Sequence, residues 1–168
     1  MKNELLDLIL NSVFLGVGAT ISMDFWALML QRFIGIAPLN YALVGRWLIH
    51  MSKGTFCHVN IATAKPVTAE LVVGWAAHYL TGVVFAAVLI MLVGNEWINT
   101  PRLIPAITFG ILTVGIPFFI MQPCMGFGIA ASKAPKPNLA RFRSLVTHFI
   151  FGLGLFLSAT LNSFFLVH

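Results

Sequence analysis

A chain of 168 residues that is 59% hydrophobic and 9% charged, with a mean hydropathy of +0.93, has too few polar groups to cover its own surface in water. A soluble domain of this size carries about 25% charged residues, so the composition excludes a soluble globular protein and makes lipid the solvent. A net charge of +5 would suit nucleic acid, but the basic residues stand beside long apolar segments, where membrane orientation accounts for them, and that placement excludes such a partner.

The first apolar segment spans 8–31, and Gly16, Thr20, Asp24, Ala27 and Gln31 share one helical face of it. Asp24 lies seven residues inside the end marked by Gln31. It should therefore pair with a cation or histidine (Arg141, Arg143, Lys133 or His148) or be protonated. A structural ion pair accounts for it as well as a functional one. Next comes an expected helix with Asn40 as its N-cap and Gly54 as its stop. Val44, Trp47, Leu48 and Met51 fall on one face of it, and Arg46, His50 and Lys53 fall elsewhere. That pattern is an interfacial amphipathic helix, lying on the membrane surface or capping the bundle.

The second segment covers 71–94, with Glu70, Gly74, His78, Gly82 and Ala86 following one another at i+4. Glu70 reads first as a first-turn carboxylate favoured by the helix dipole. The third segment, 103–122, carries Thr113, Pro117 and Gln122, with Pro117 expected to kink it. A proline-stiffened basic loop, 132–138, then leads into a fourth helix at Asn138. The fourth segment, 144–167, places Ser144, His148 and Gly152 on one face with Arg141 nearby. Each segment reaches the ~20 residues that cross a bilayer core of about 30 Å. Small residues let helices approach and polar ones bond across the contact, so these faces should turn inward.

The two halves align. His78 and His148 stand 70 residues apart, each with a small residue four before it, an aromatic after it and glycine four beyond. Lys65-Pro66 and Lys136-Pro137 precede them at nearly equal distances, and Thr20, Phe25, Gly35, Ile36 and Ala37 match Thr113, Phe118, Gly128, Ile129 and Ala130 at an offset of 93. The expected fold is an all-α integral membrane protein of four transmembrane helices in one domain, 1–168. Two helical hairpins, about 8–94 and 103–167, would form parallel repeats. Both histidines would then lie at one depth, ~12 Å inside the cytoplasmic end at 1.5 Å per residue.

Three readings of the histidines stay open. They can be neutral packing residues bonded to neighbouring helices. They can line a cytoplasm-open polar pocket that binds or moves a proton, ion or small solute, with Asp24, Glu70, His78, Gln122, Arg141 and His148 as its ligand-binding set. Or they can be the axial ligands of haem b, or bind a metal, through His78 and His148. No cofactor is expected on the first two readings. No phosphate loop, nucleophile elbow or zinc-protease helix is present, so no catalytic residues are assigned. The seven methionines read as core filler. Cys57 and Cys124 fall on the expected cytoplasmic side, where thiols stay reduced, and Cys57-His58 alone is thin evidence of a metal. The expected partners are the bilayer, a second copy, or a membrane complex in which the chain is a structural subunit.

Five stretches resemble a known family. They are Ala19-Thr20-Ile21-Ser22-Met23-Asp24-Phe25-Trp26, Leu39-Asn40-Tyr41-Ala42-Leu43-Val44-Gly45-Arg46-Trp47, Gly74-Trp75-Ala76-Ala77-His78-Tyr79, Pro117-Phe118-Phe119-Ile120-Met121-Gln122-Pro123 and Gly128-Ile129-Ala130-Ala131-Ser132-Lys133. They are similar to a family of small bacterial inner-membrane proteins, domain of unknown function 2938. The resemblance implies a four-helix bacterial membrane protein and brings no activity or site residues with it.

The charges orient the spans. Arg32, Arg46, Lys53, Lys65, Lys133, Lys136, Arg141 and Arg143 flank one side, against Lys2 and Arg102 on the other. The first eight residues lack the basic start of a signal peptide, so the first span is expected to be retained. Both basic loops should be cytoplasmic and both termini periplasmic, in the inner membrane. Single cysteines placed in turn 99–102 of a cysteine-free chain should react with an impermeant maleimide on intact cells, and ones near Lys133 should not. The reverse pattern would overturn this topology.

Overall fold

The computed structural model describes residues 2–167, with side chains over 4–164. Both chain ends, Met1 and His168, lie outside that range, so the expectation for the termini falls there too. All regular elements among the described residues are helical. They are α1 (Lys2–Ile34), α2 (Tyr41–Ser52), α3 (Glu70–Val93), α4 (Glu96–Asn99), α5 (Leu103–Leu112), α6 (Gln122–Cys124) and α7 (Pro137–Val167). Two 3₁₀ turns, Ile61–Thr63 and Ile129–Ala131, precede α3 and α7. Four stretches among the described residues are long and apolar enough to cross a membrane: Glu4–Ile34, Glu70–Val93, Leu103–Cys124 and Pro137–Phe164.

The outer helices run beyond the apolar segments read from sequence, because polar residues extend a helix out of lipid without interrupting its hydrogen bonds. α7 starts at Pro137, a residue suited to a first helical position because its missing N–H would have no partner there. The third span is not one continuous α-helix. Pro117 has no N–H to give, and its ring displaces the carbonyl four residues back. α5 accordingly stops at Leu112, and the chain resumes as a π-helical turn, Pro117–Met121, in which the Gln122 N–H reaches the Pro117 carbonyl.

The chain divides into two compact units. The first takes in Met1–Pro38, Tyr79–Leu112 and Thr147–His168. Its core is built largely of small and aliphatic residues: Leu15, Ala19, Ala86, Leu89, Ala106, Leu155 and Ala159, with Phe151 among them. Glycines set the helix crossings. A Cβ at Gly16 would lie 2.5 Å from Val83 Cα, and one at Gly110 would lie 2.5 Å from Gly152 Cα. α1 therefore meets α3, and α5 meets α7, backbone to backbone, which is how helices pack when lipid supplies no hydrophobic push. Large apolar side chains face outward instead, with Phe25 61%, Leu92 71% and Ile104 78% exposed. At one end, the buried Trp97 donates its Nε1–H to the Arg102 carbonyl at 3.1 Å and closes the turn between α3 and α5.

The faces expected to turn inward mostly do. Gly16, Thr20, Gly74, Gly82, Ala86, Thr113 and Gly152 are buried. Asp24, Ala27, Glu70, His78, Ser144 and His148 are half-buried, while Gln31 is exposed near the end of α1. The second unit, Leu39–His78 with Thr113–Val146, packs around Trp47, Ile61 and Met125.

Two glycines of the third span separate packing from propensity. A Cβ at Gly110 meets backbone at 2.5–2.7 Å, whereas one at Gly115 meets only the Phe119 ring, at 3.9 Å. Gly110→Ala should cost about 1–3 kcal/mol by overpacking and lower the Tm in detergent. Gly115→Ala should leave the Tm unchanged or raise it slightly. Equal effects would show that the α5–α7 crossing is not tight.

Candidate functional site

The second unit is organised by an arginine taken out of water. The N-cap expected at Asn40 is in place, its side chain accepting from the Ala42 N–H at 3.1 Å. The helix it starts carries Trp47, Leu43, Val44, Leu48 and Met51 into the core, as the apolar pattern requires. Arg46 departs from the sequence reading. It falls off the apolar face of this helix, among the basic residues that flank the spans, yet it is only 8% exposed. Its Nε and Nη2 each bond one oxygen of Glu70 at 2.8 Å, a bidentate pair. Its Nη1 donates to the carbonyls of Ile61 at 3.2 Å and Ala64 at 3.0 Å, so the guanidinium also gathers the 3₁₀ turn. The hydrogen bond to Glu70 raises the Arg46 pKa above its ordinary value.

Glu70 is the first-turn acid expected at the start of α3. Its Oε2 also accepts from the Val67 N–H at 3.0 Å, reaching back to an unpaired donor before the helix as a capping-box residue does. The ion pair works together with two glycines. A Cβ on Gly45 would run into the Glu70 carbonyl, and one on Gly74 into the Tyr41 carbonyl. α2 thus lies directly on the backbone of the first turns of α3.

That contact brings the first residue of α2 to His78. Tyr41 Oη and His78 Nε2 share a hydrogen bond of 2.9 Å. The Tyr41 ring lies 4.4 Å from both the His78 and the Trp75 rings, and Trp75 meets His78 edge-on at 5.8 Å. The imidazole is therefore half-buried in an aromatic nest. A second histidine pair lies in the same unit: His50 Nδ1 and His58 Nε2 share a 2.8 Å bond, with their rings stacked at 5.0 Å. His58 Nδ1 and Gln122 Oε1 are buried atoms without a hydrogen-bond partner among the described residues.

Of the remaining site candidates, Arg141 serves its own loop. Its Nε donates to the carbonyl of Ala130 at 2.8 Å and its Nη1 to Asn138 Oδ1 at 3.1 Å. Ala130 has φ +47°, a conformation costly for alanine, and the charged donor on its carbonyl helps hold it there. Asp24 and His148 belong to the first unit. Asp24 Oδ2 accepts from Tyr79 Oη at 2.9 Å. His148 is half-buried, and its carbonyl borders the α5–α7 crossing, 2.7 Å from where a Gly110 Cβ would sit. The structure thus groups Glu70, His78, Gln122 and Arg141 in one unit with Tyr41, Arg46, His50 and His58, four residues not in the expected set.

No cluster of three or more His, Cys, Asp or Glu side chains suited to a metal exists among the described residues. Two grooves of about 520 and 290 Å³ lie in the first unit, one around Leu8 and Asn95 and one around Leu89 and Phe109, and none of the candidate residues lines either.

A family model described as "Protein of unknown function (DUF2938)" matches residues 13–162. Searches of curated proteins and of solved structures give no match.

The clamp predicts an asymmetry among the basic residues. Arg46→Met leaves the Glu70 carboxylate without its cation and frees the carbonyls of Ile61, Ala62 and Ala64, so it should lower the Tm by several degrees. Arg32→Met, at an exposed position in the last turn of α1, should change it little. Similar Tm values for the two variants would show that the Arg46 pair holds nothing together.

Proposed function

The chain belongs to the DUF2938 family, and because membership carries no activity with it, we propose a role from the residues themselves: an integral inner-membrane protein with a polar pocket open to the cytoplasm, in which His78 takes up a proton or meets a small polar or ionic solute. The observation that carries this reading is the Tyr41–His78 hydrogen bond. An ionisable group inside a span long and apolar enough to cross a membrane is expensive, and it marks a path or a site more often than an ornament of packing. Tyr41 can donate to a neutral imidazole or accept from a protonated one, so the pair tolerates either charge state. Gln122 adds a buried acceptor in the same unit, and Arg46 with Glu70, spent on each other and on backbone, serve to position α2.

The parallel repeat belongs to the same proposal. The sequence of buried, half-buried and exposed positions over 61–70 recurs over 131–140, an offset of 70 that also relates His78 to His148. One glycine pair at the crossings supports it, since Gly82 and Gly152 also differ by 70. Orientation with the basic side in the cytoplasm follows from the charge count.

Haem b held by His78 and His148 is the alternative. It would need an imidazole nitrogen of His78, and Tyr41 already occupies Nε2. Two measurements bear on these readings. Trp75 borders His78, so its fluorescence should respond to pH when the imidazole takes up a proton, and that component should vanish in His78→Gln. An unchanged titration in His78→Gln would remove His78 as the responsive group. The purified protein should also lack a haem spectrum. Stoichiometric haem absorbance lost in both His78→Ala and His148→Ala would replace the pocket with a redox centre.

A further inference from the structure

The two cysteines, 67 positions apart in sequence, meet in the second unit. The Cys57 thiol donates to Cys124 Sγ at 2.9 Å. This meeting does not depend on the sulfurs, because the backbones around them are already fastened together. The His58 N–H donates to the Cys124 carbonyl at 2.8 Å, and the Ile61 N–H to the Met125 carbonyl at 3.0 Å. Trp47 Nε1 holds the carbonyl of Phe56, the residue before Cys57, at 2.8 Å. Gly126, at φ +91°, lets the chain past Cys124 approach so closely that any Cβ there would strike the Val59 carbonyl. Cys57 is exposed and Cys124 half-buried, so a reagent reaches the first thiol and the second waits beneath it. No third metal-ligating side chain completes a site among the described residues, which leaves sulfur chemistry as the use of the pair.

We propose that Cys57 and Cys124 form a reversible dithiol–disulfide site whose oxidant is a low-molecular-weight disulfide. The Cys57 thiolate attacks one sulfur of that disulfide, giving a mixed disulfide at Cys57 and releasing one small thiolate. The Cys124 thiolate then attacks Cys57 Sγ. The Cys57–Cys124 bond forms and the second small thiolate leaves. Two electrons pass from the protein sulfurs to the small disulfide, and the two small thiolates released take up the two protons the cysteines give up. Closing the bond asks for about 0.9 Å of approach toward the ~2.0 Å S–S length. On the cytoplasmic side such a bond is transient and responsive rather than structural. When formed, it ties the segment after α2 to the end of the third span, next to the Trp47–Ile61–Met125 core.

The test uses the full-length protein in detergent micelles, reduced, desalted without oxygen and exposed to excess oxidised glutathione. Free thiols are then alkylated in acid and the intact mass is read. The expected product is a monomer lighter by two hydrogens, with neither cysteine alkylated and no glutathionyl retained. Cys124→Ser should stop at one glutathionyl on Cys57, and the wild-type chain in denaturant should take up two. Native wild-type protein that keeps glutathionyl groups, or forms only disulfide-linked dimers, would overturn the proposal. So would native wild-type thiols that stay fully alkylatable under conditions that glutathionylate the same chain in denaturant. The wild-type arm decides by itself, whether or not the serine variant folds.

Discussion

The second unit depends on one buried cation. A guanidinium with little access to water is destabilising unless every face of it finds a partner, and Arg46 finds them in both oxygens of Glu70 and in the carbonyls of the 3₁₀ turn ahead of α3. Three segments that are separate in sequence are bound by this one group: α2, the turn at Ile61–Thr63 and the first turn of α3. The pair fixes the distance between α2 and α3, and Gly45 and Gly74 make that distance attainable. The position of the Tyr41 hydroxyl on His78 then follows, because both residues sit on elements whose separation is already set. Electrostatics and steric allowance therefore act in series, and losing either one removes the other's benefit.

The first unit is held together differently. It has small residues at its crossings, hydroxyls bonded within their own helices, and large apolar groups turned outward. Van der Waals contact between backbones carries the packing. Single hydrogen bonds also join its helices, such as the Asp24–Tyr79 bond and the 2.6 Å bond from Asn162 Nδ2 to Asn11 Oδ1. The contrast is one of chemistry, with large apolar groups turned outward in the first unit and three histidines, two thiols and a buried ion pair gathered in the second.

Much of this architecture is legible in the sequence, because it rests on local periodicity. The four spans follow from apolar length, α2 from Asn40 and its apolar face, and the inward faces of α1 and α3 from glycine, threonine and histidine at i+4. The break in the third span follows from the chemistry of Pro117, although the π-helical turn that absorbs it does not. What the sequence hides are pairings over distance. Arg46 looks like one more cation of a basic loop, and only its place within the apolar run of α2, 24 residues before Glu70, hints at burial. Tyr79 as the partner of Asp24, His58 as the partner of His50, and Cys124 beside Cys57 depend on how loops return, which no period encodes. Membership of the DUF2938 family agrees with the resemblance carried by those five stretches and leaves the function to be argued from the site.

The Arg46–Glu70 pair, which does not touch His78, decides whether Tyr41 does. The most direct measurement is the nitrogen NMR spectrum of His78 in the wild type, Tyr41→Phe and Glu70→Gln. The account predicts that Glu70→Gln removes the hydrogen-bonded Nε2 signature as fully as Tyr41→Phe does. A His78 spectrum that changes in Tyr41→Phe but keeps its wild-type form in Glu70→Gln would contradict it.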